Sequence, residues 1–192
     1  MIAWVTSVLR ALAIVMLLAA PAAAEVTLHA EVDPLPFVNG GYGAQVGIRH
    51  PALRGLRIAA ASFALHVPDV LSQIGGNDDF DQRVRPSGAL YVLYYFRPGR
   101  DGWVVGGSLR YLRLRYEHDD VPGMRADTSE LSPELIVGYQ WHPFKNGFYL
   151  QPWFALGVTL VRDGDPIVGD REYEPLPVSP FFTVNIGYEH TL

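Results

Sequence analysis

The 192-residue chain contains no cysteine, a single lysine (Lys145) and no basic tail. Without cysteine, a small secreted domain stapled by disulfides is excluded, and an exported form must hold itself together by burial or by a membrane. Only 18% of residues are charged, whereas a water-facing surface usually carries about a quarter or more of dense, mixed charge. Acids outnumber bases by 20 to 15, so the cationic footprint that nucleic-acid phosphates demand is missing and nucleic acid is not an expected partner. Beyond residue 24 no apolar run reaches the roughly 18 residues of a helical span, which leaves strands as the only means of crossing a bilayer.

What is there begins with a processing signature. Arg10 is the only charge in residues 1–24, Ala11 to Ala20 forms a short apolar run, and Ala22, Ala23 and Ala24 place small residues ahead of Glu25. This layout predicts a secretory signal peptide at 1–24 and one mature domain at 25–192. Its removal takes one Arg and no acid, leaving 14 basic and 20 acidic residues and a net charge of −6.

From Glu25 onward, period-two alternation predicts strands near 27–37, 41–50, 55–67, 86–97, 102–116, 129–142, 147–161 and 179–190. The connections between them alternate in length. Residues 50–55, 97–102 and 143–147 form tight turns, each ending in Gly, and Asn146-Gly147 is a strong hairpin signal. The connections at 68–85, 117–128 and 162–178 are long, acidic and rich in Gly and Pro, while Asn39-Gly40-Gly41 is short. Tight turns at one end and long loops at the other are the mark of a barrel inserted into a membrane from one side. Pro133 and Pro152 fall inside strands without an amide to donate, which predicts a bulge or a missing rung at each. The third strand, RIAAASFALHV, has no clear phase.

Two faces are evident in FYLQPWFALGVTL (148–160). Phe148, Leu150, Pro152, Phe154, Leu156, Val158 and Leu160 alternate with Tyr149, Gln151, Trp153, Ala155, Gly157 and Thr159. The same division recurs in the first, second, sixth and last strands. A soluble lipocalin-like barrel that binds a hydrophobic ligand would turn the apolar set inward, and a membrane barrel turns it outward. The near absence of Lys from the polar set favours the membrane. So do the aromatics Tyr94, Phe96, Trp103, Tyr139, Trp141, Phe148 and Tyr188 near the short-turn ends, where an interfacial girdle would fall. An eight-stranded lumen is only just filled by side chains and has no room for so many rings. The fold class expected is therefore all-β, an eight-stranded antiparallel up-and-down transmembrane β-barrel.

With its export signature, its eight strands and the terminal segment SPFFTVNIGYEHTL, the chain resembles the bacterial outer-membrane β-barrel superfamily, the group that includes the OmpA-like transmembrane domain. The resemblance implies a location in the outer membrane, lipid and lipopolysaccharide as surroundings, and recognition of the last strand by the outer-membrane assembly machinery. The terminal residue is Leu192 where the family pattern has an aromatic. The resemblance covers residues 25–192 and implies no activity.

Several constellations could carry chemistry. Glu31, Asp33, Arg49, Arg110, Glu134, Gln140, Gln151, Asn185 and Glu189 are expected to point into the lumen, where charges in a narrow space must pair. Such a polar network is a structural plug or, alternatively, the lining of a narrow, porin-like pore. Arg113 and Arg115 follow the apolar outward set of strand five, so either a bulge intervenes or they stand above the hydrocarbon, where arginine forks suit lipopolysaccharide phosphates. The acidic segments 77–81, 117–120 and 163–165 fit no calcium-loop spacing and are read as solvated loops.

Barrel enzymes that modify lipid A require Ser, His and carboxylate within reach. No His is followed two residues on by Ser, and Ser132 and His142 are on the order of 30 Å apart along one strand. No catalytic residue, metal site or cofactor is assigned. The role expected is structural or surface-interactive, a lipid-embedded scaffold displaying acidic loops. A pore or a lipid A-modifying enzyme is the alternative.

Overall fold

The computed structural model describes residues 25–68, 76–144 and 146–192; the expected signal peptide at 1–24 and the turn residue Lys145 lie outside them. The strands are β1 (Thr27–Val32), β2 (Tyr42–Arg49), β3 (Leu56–His66), β4 (Phe80–Tyr95), β5 (Gly102–His118), β6 (Ala126–Gln140), β7 (Phe148–Gly157), β8 (Val161–Asp163), β9 (Ile167–Val168), β10 (Arg171–Glu172) and β11 (Ser179–Thr191). Hydrogen-bonded neighbours run β5-β4-β3-β2-β1-β11-β7-β6, and the β5–β6 pairing closes the ring. Every pairing is antiparallel, so the wall is an eight-stranded up-and-down barrel with no free edge. β8 prolongs the wall beyond β7 against β6, and β9–β10 is a small separate hairpin.

Alternation sets the two faces. Val46, Ile58, Leu90, Val92, Val105, Leu109, Leu135, Val137, Phe154, Leu156 and Phe182 form an exposed apolar belt around the outside. Tyr94, Phe96, Trp103, Trp141 and Tyr188 are exposed at its short-turn rim. Side chains between these positions turn inward, and many of them are polar and buried.

Four boundaries differ from the sequence reading, each for a local reason. β1 stops at Val32 rather than near 37, because Asp33 caps a short helix α1 (Pro34–Val38) by accepting the Leu35 amide at 3.0 Å. Pro34 and Pro36 could not donate to a ladder in any case. β4 begins at Phe80, and the β5–β6 hairpin reaches His118 and Ala126, so residues 80–85, 117–118 and 126–128 of the expected loops at 68–85 and 117–128 are wall, while residues 69–75 lie outside the described residues. At Pro86 and Ser87 the register of β4 slips against both neighbours. There Ser87 Oγ accepts the Arg113 amide at 3.0 Å and donates to the Arg85 carbonyl at 2.6 Å, mending the bulge with a side chain.

The fourth difference lies on the β6–β7 seam, which carries both strand prolines. Trp141 and Leu150 exchange two backbone hydrogen bonds of 2.8 Å. Two residues along, the constant register sets Pro152 opposite Tyr139 as the next hydrogen-bonded pair, and Pro152 has no amide to give. Further up, Val158 donates to the Pro133 carbonyl at 3.2 Å, and Pro133 cannot reciprocate. The register is unbroken at both prolines, so each costs a rung and neither makes a bulge. The bulge comes later, between Gly157 and Val161, where β8 resumes one residue out of step. This seam should be the weakest in the wall. Pro152→Val, which restores a donor worth about 1 kcal/mol, is expected to raise by a few degrees the temperature at which the protein loses its folded gel mobility in detergent. An unchanged or lower transition would show that this seam does not limit stability.

Candidate functional site

The lumen is filled at its waist by a network centred on Glu31, which is buried. Its carboxylate accepts Gln45 Nε2 from β2, Arg57 Nη1 from β3, the Tyr149 hydroxyl from β7 and, at 2.7 Å, Asn185 Nδ2 from β11. Arg57, fully buried, also donates to the Tyr149 hydroxyl at 3.1 Å, and its guanidinium carbon lies 5.0 Å from the centre of the Tyr95 ring. Tyr95 in turn donates to Gln151 Oε1 at 3.0 Å. The Tyr149 ring lies against the bare backbone of Gly187, where a Cβ would collide with it. A buried carboxylate is tolerable only when paired and hydrogen-bonded, and Glu31 has four donors from four strands.

Toward the short-turn end, Glu189 lies 3.5 Å from Arg49, 3.4 Å from His142 and 3.7 Å from His29. On the opposite wall Glu134 pairs with Arg110 at 2.9 Å and accepts Ser108 Oγ at 2.6 Å. Asp33 accepts Thr183 Oγ1 at 2.5 Å, and near the long-loop end Glu130 holds Arg162 at 2.7 Å and Thr159 at 2.9 Å.

The nine residues expected in the lumen thus fall into separate groups. Glu31 and Asn185 share the central one, Arg49 and Glu189 the lower one, and Arg110 and Glu134 form their own pair. Gln151 joins through Tyr95, Asp33 caps the helix, and Gln140 is fully buried with no hydrogen-bond partner among the described residues. Sequence reasoning missed Arg57, because Ala59, Ala60, Ala61 and Ala64 make both faces of β3 look alike. It also assigned no role to Tyr95, or to Tyr149, which it set on the same face as Gln151.

Above the waist the barrel holds a chamber of about 230 Å³ lined by Phe63, Leu112, Leu114, Trp153, Leu176 and Phe181 among others. Residues of the 158–178 connection fold back into the mouth over it. Val168 and Tyr173 pack with Phe80, Leu112, Leu114 and Tyr116, the Tyr173 hydroxyl donates to Gln82 at 3.1 Å, and Asn77 and Glu174 exchange bonds of 2.8 and 2.9 Å. Burial holds the Tyr173 phenol above its ordinary pKa, so it remains a donor.

On the outer wall toward the long-loop end, Arg83 faces Arg115 and Arg85 faces Arg113 across the β4–β5 ladder. Asp81 binds Arg83 at 2.7 Å, and Asp127 holds Arg115 with two bonds of 2.8 and 3.1 Å. Among the described residues neither Arg85 nor Arg113 makes an ion-pair contact, although Arg115, joined by Arg85, helps to hold the Asp127 carboxyl below its ordinary range. β5 runs through this region in unbroken register with β6, so Arg113 and Arg115 stand on the same outward face as the belt below them. Ser132 and Glu134 lie inside the lumen, while His142 is at the short-turn end beside Glu189 and Asp101. Among the described residues no group of three or more metal-ligating side chains is close enough to hold an ion.

No family model matches the chain, and no curated protein matches it in sequence. Solved structures do match. A major outer membrane protein from Thermus thermophilus aligns at 13% identity with a TM-score of 0.50, over 88% of this chain and all of that one. Neisserial surface protein A aligns at 13% identity with a TM-score of 0.48, over 86% and 95%. The likeness to the former is one of fold, a closed antiparallel β-barrel.

The buried Glu31–Arg57 pair makes a stability prediction. Arg57→Met leaves a carboxylate without its cation and should cost about 3–5 kcal/mol, whereas Arg57→Met combined with Glu31→Leu should recover much of that loss. Urea unfolding of the protein refolded into lipid vesicles, followed by tryptophan fluorescence, measures both. Equal destabilisation by the single and double variants would remove Glu31 from its central place.

Proposed function

We propose that the chain is a bacterial outer-membrane protein with a structural and surface-interaction role, a closed and non-conducting scaffold that anchors to the lipopolysaccharide leaflet. One observation carries this reading: an apolar belt encircles a barrel whose lumen, from the waist to the short-turn end, is filled by fully buried Arg57, Tyr95, Gln140, Tyr149 and Gln151. A belt of that kind suits hydrocarbon, and a filled waist leaves no water path for a pore. Export by the segment 1–24 and recognition of the β11 strand by the assembly machinery belong to the same proposal. β11 supports the second point, since it pairs with β1 to complete the ring.

The collar above the belt is the surface offered to lipopolysaccharide. Like charges directly opposite each other on a ladder destabilise it, so the Arg85–Arg113 pair gains most from an anion placed between its forks. Arg115 is already held by Asp127 and contributes less. The sequence pointed to Arg113 and Arg115; the register shifts the emphasis to Arg113 with Arg85.

Membrane fractionation with heat-dependent gel mobility tests the location, and a soluble periplasmic product would end the proposal. In planar bilayers the protein should show no discrete openings; regular conductance steps would favour the pore. Arg85→Gln with Arg113→Gln is expected to weaken binding of purified lipopolysaccharide at least fivefold, and Arg115→Gln less than twofold. Equal effects would remove the special role of the unpaired couple.

A further inference from the structure

The charged groups at the short-turn end divide into two sets. Glu189 lies 3.5 Å from Arg49 and 3.4 Å from His142, while Asp101 accepts the His142 amide at 2.7 Å and lies 3.5 Å from its Nδ1. Arg54, Arg97 and Arg100 are exposed, and among the described residues none of them makes an ion pair. They stand on two turns that pack together: Tyr95 donates its amide to the Gly55 carbonyl at 2.9 Å, and a Cβ at Gly55 would lie 3.4 Å from Pro98 Cγ. Within the second turn the Arg100 amide donates to the Arg97 carbonyl at 3.1 Å, and Arg97, Pro98, Arg100 and Asp101 line one open depression. Arg54 is the one non-glycine residue with positive φ among the described residues, at φ 46° and ψ 51°. Gly or Asn would hold that left-handed backbone at lower cost, yet no hydrogen bond or ion pair among the described residues uses the Arg54 side chain.

We propose that the two turns bind the phosphate of an anionic glycerophospholipid in the leaflet at the short-turn end, an inference that rests on the barrel's place in a membrane. The depth follows from the aromatic rim. Tyr94, Phe96 and Trp103 are exposed on the strands that enter and leave the second turn, where amphipathic rings lie at head-group level. Arg97 follows Phe96 directly, so the turn stands just past the hydrocarbon, at the level of lipid phosphates. The chemistry follows from the donors: guanidinium forks present paired N–H groups that match phosphate oxygens. The one carboxylate in the depression, Asp101, is already engaged by His142. A choline head group would bring a cation against three arginines, whereas the glycerol of phosphatidylglycerol brings only hydroxyls. The arginine collar lies beyond the apolar belt at the opposite end, so the two ends hold anions of different leaflets. Acids outnumber bases in the chain by 20 to 15, so a preference for anionic lipid must arise from this local patch and not from net charge.

Trp103, exposed beside the second turn, reports on the lipid that occupies it. Protein carrying Trp141→Phe, which removes the other exposed rim indole, is refolded into phosphatidylcholine vesicles containing dibrominated phosphatidylglycerol or dibrominated phosphatidylcholine. Quenching of tryptophan fluorescence gives the relative binding constant, with buried Trp153 as a background common to all variants. A preference for phosphatidylglycerol of at least about threefold is expected. Arg97→Gln with Arg100→Gln should remove most of it, whereas Arg85→Gln with Arg113→Gln at the far end should leave it unchanged. Arg54→Asn should lower the preference while heat-dependent gel mobility shows a fold at least as stable as the parent, an outcome that a purely structural Arg54 would not give. Equal affinity for the two lipids, a preference that survives either rim substitution, or one that falls equally with the Arg85 and Arg113 changes would each overturn the proposal with the folded barrel intact. Failure of the protein to enter vesicles would overturn the membrane reading beneath it as well.

Discussion

A carboxylate buried in a space as narrow as an eight-stranded lumen must be met from several directions, and Glu31 is met from four. Its donors come from β2, β3, β7 and β11, so one side chain of β1 ties five of the eight wall strands across the interior. Through Arg57 and Tyr95 the connection extends to β4. The backbone ladder fixes neighbouring strands only to each other. It is the lumen network that relates strands facing one another across the barrel, and the shape of everything above depends on it.

That arrangement divides the interior by height. At the waist, long polar side chains reach inward and pair, and Gly187 yields its side-chain volume to the Tyr149 ring. Above it apolar residues take a larger share of the lining, with Leu112, Leu114, Phe63 and Phe181 beside the polar Gln82, Arg110 and Glu130. A core resembling that of a soluble protein then forms at the mouth, where Val168 and Tyr173 come down from the long connection onto Phe80 and Tyr116. Paired charge excludes water below and apolar packing excludes it above, and the chamber lies between the two.

Much of this was legible in alternation and loop length. Eight strands, their direction of facing and the long-loop end follow from residues such as Phe154, Leu156 and Phe182 on one face and Gln151 and Asn185 on the other. What escaped had identifiable causes. Asp33-Pro34 is a helix-start signal that the alternation of β1 masked, and polar stretches such as Glu117-His118 look like loop although they sit in the projecting wall. Arg57 was hidden because a strand of alanines has no phase, and its role appears only once pairing with Arg49 and Leu93 sets which way it points. The division of the lumen residues into groups was illegible for a deeper reason: which inward residues meet is decided by stagger around the barrel, a property of the closed ring and not of any one strand.

The same stagger explains why the outer collar and the weak seam are on different parts of the wall. β4, β5 and β6 are the longest strands, and their mutual ladders run almost without interruption, broken once at Pro86–Ser87 and mended there by a hydroxyl. Arginines held on such a wall keep their spacing, because moving one means moving a ladder. The β6–β7 side has lost two rungs to Pro152 and Pro133 and resumes out of step at β8. Local opening follows the regions of fewest hydrogen bonds, so fluctuations should concentrate on that side. The barrel is thus mechanically asymmetric: a stiff wall presents fixed charge to its surroundings, and a softer wall flanks the chamber where Trp153 of β7 reaches inward.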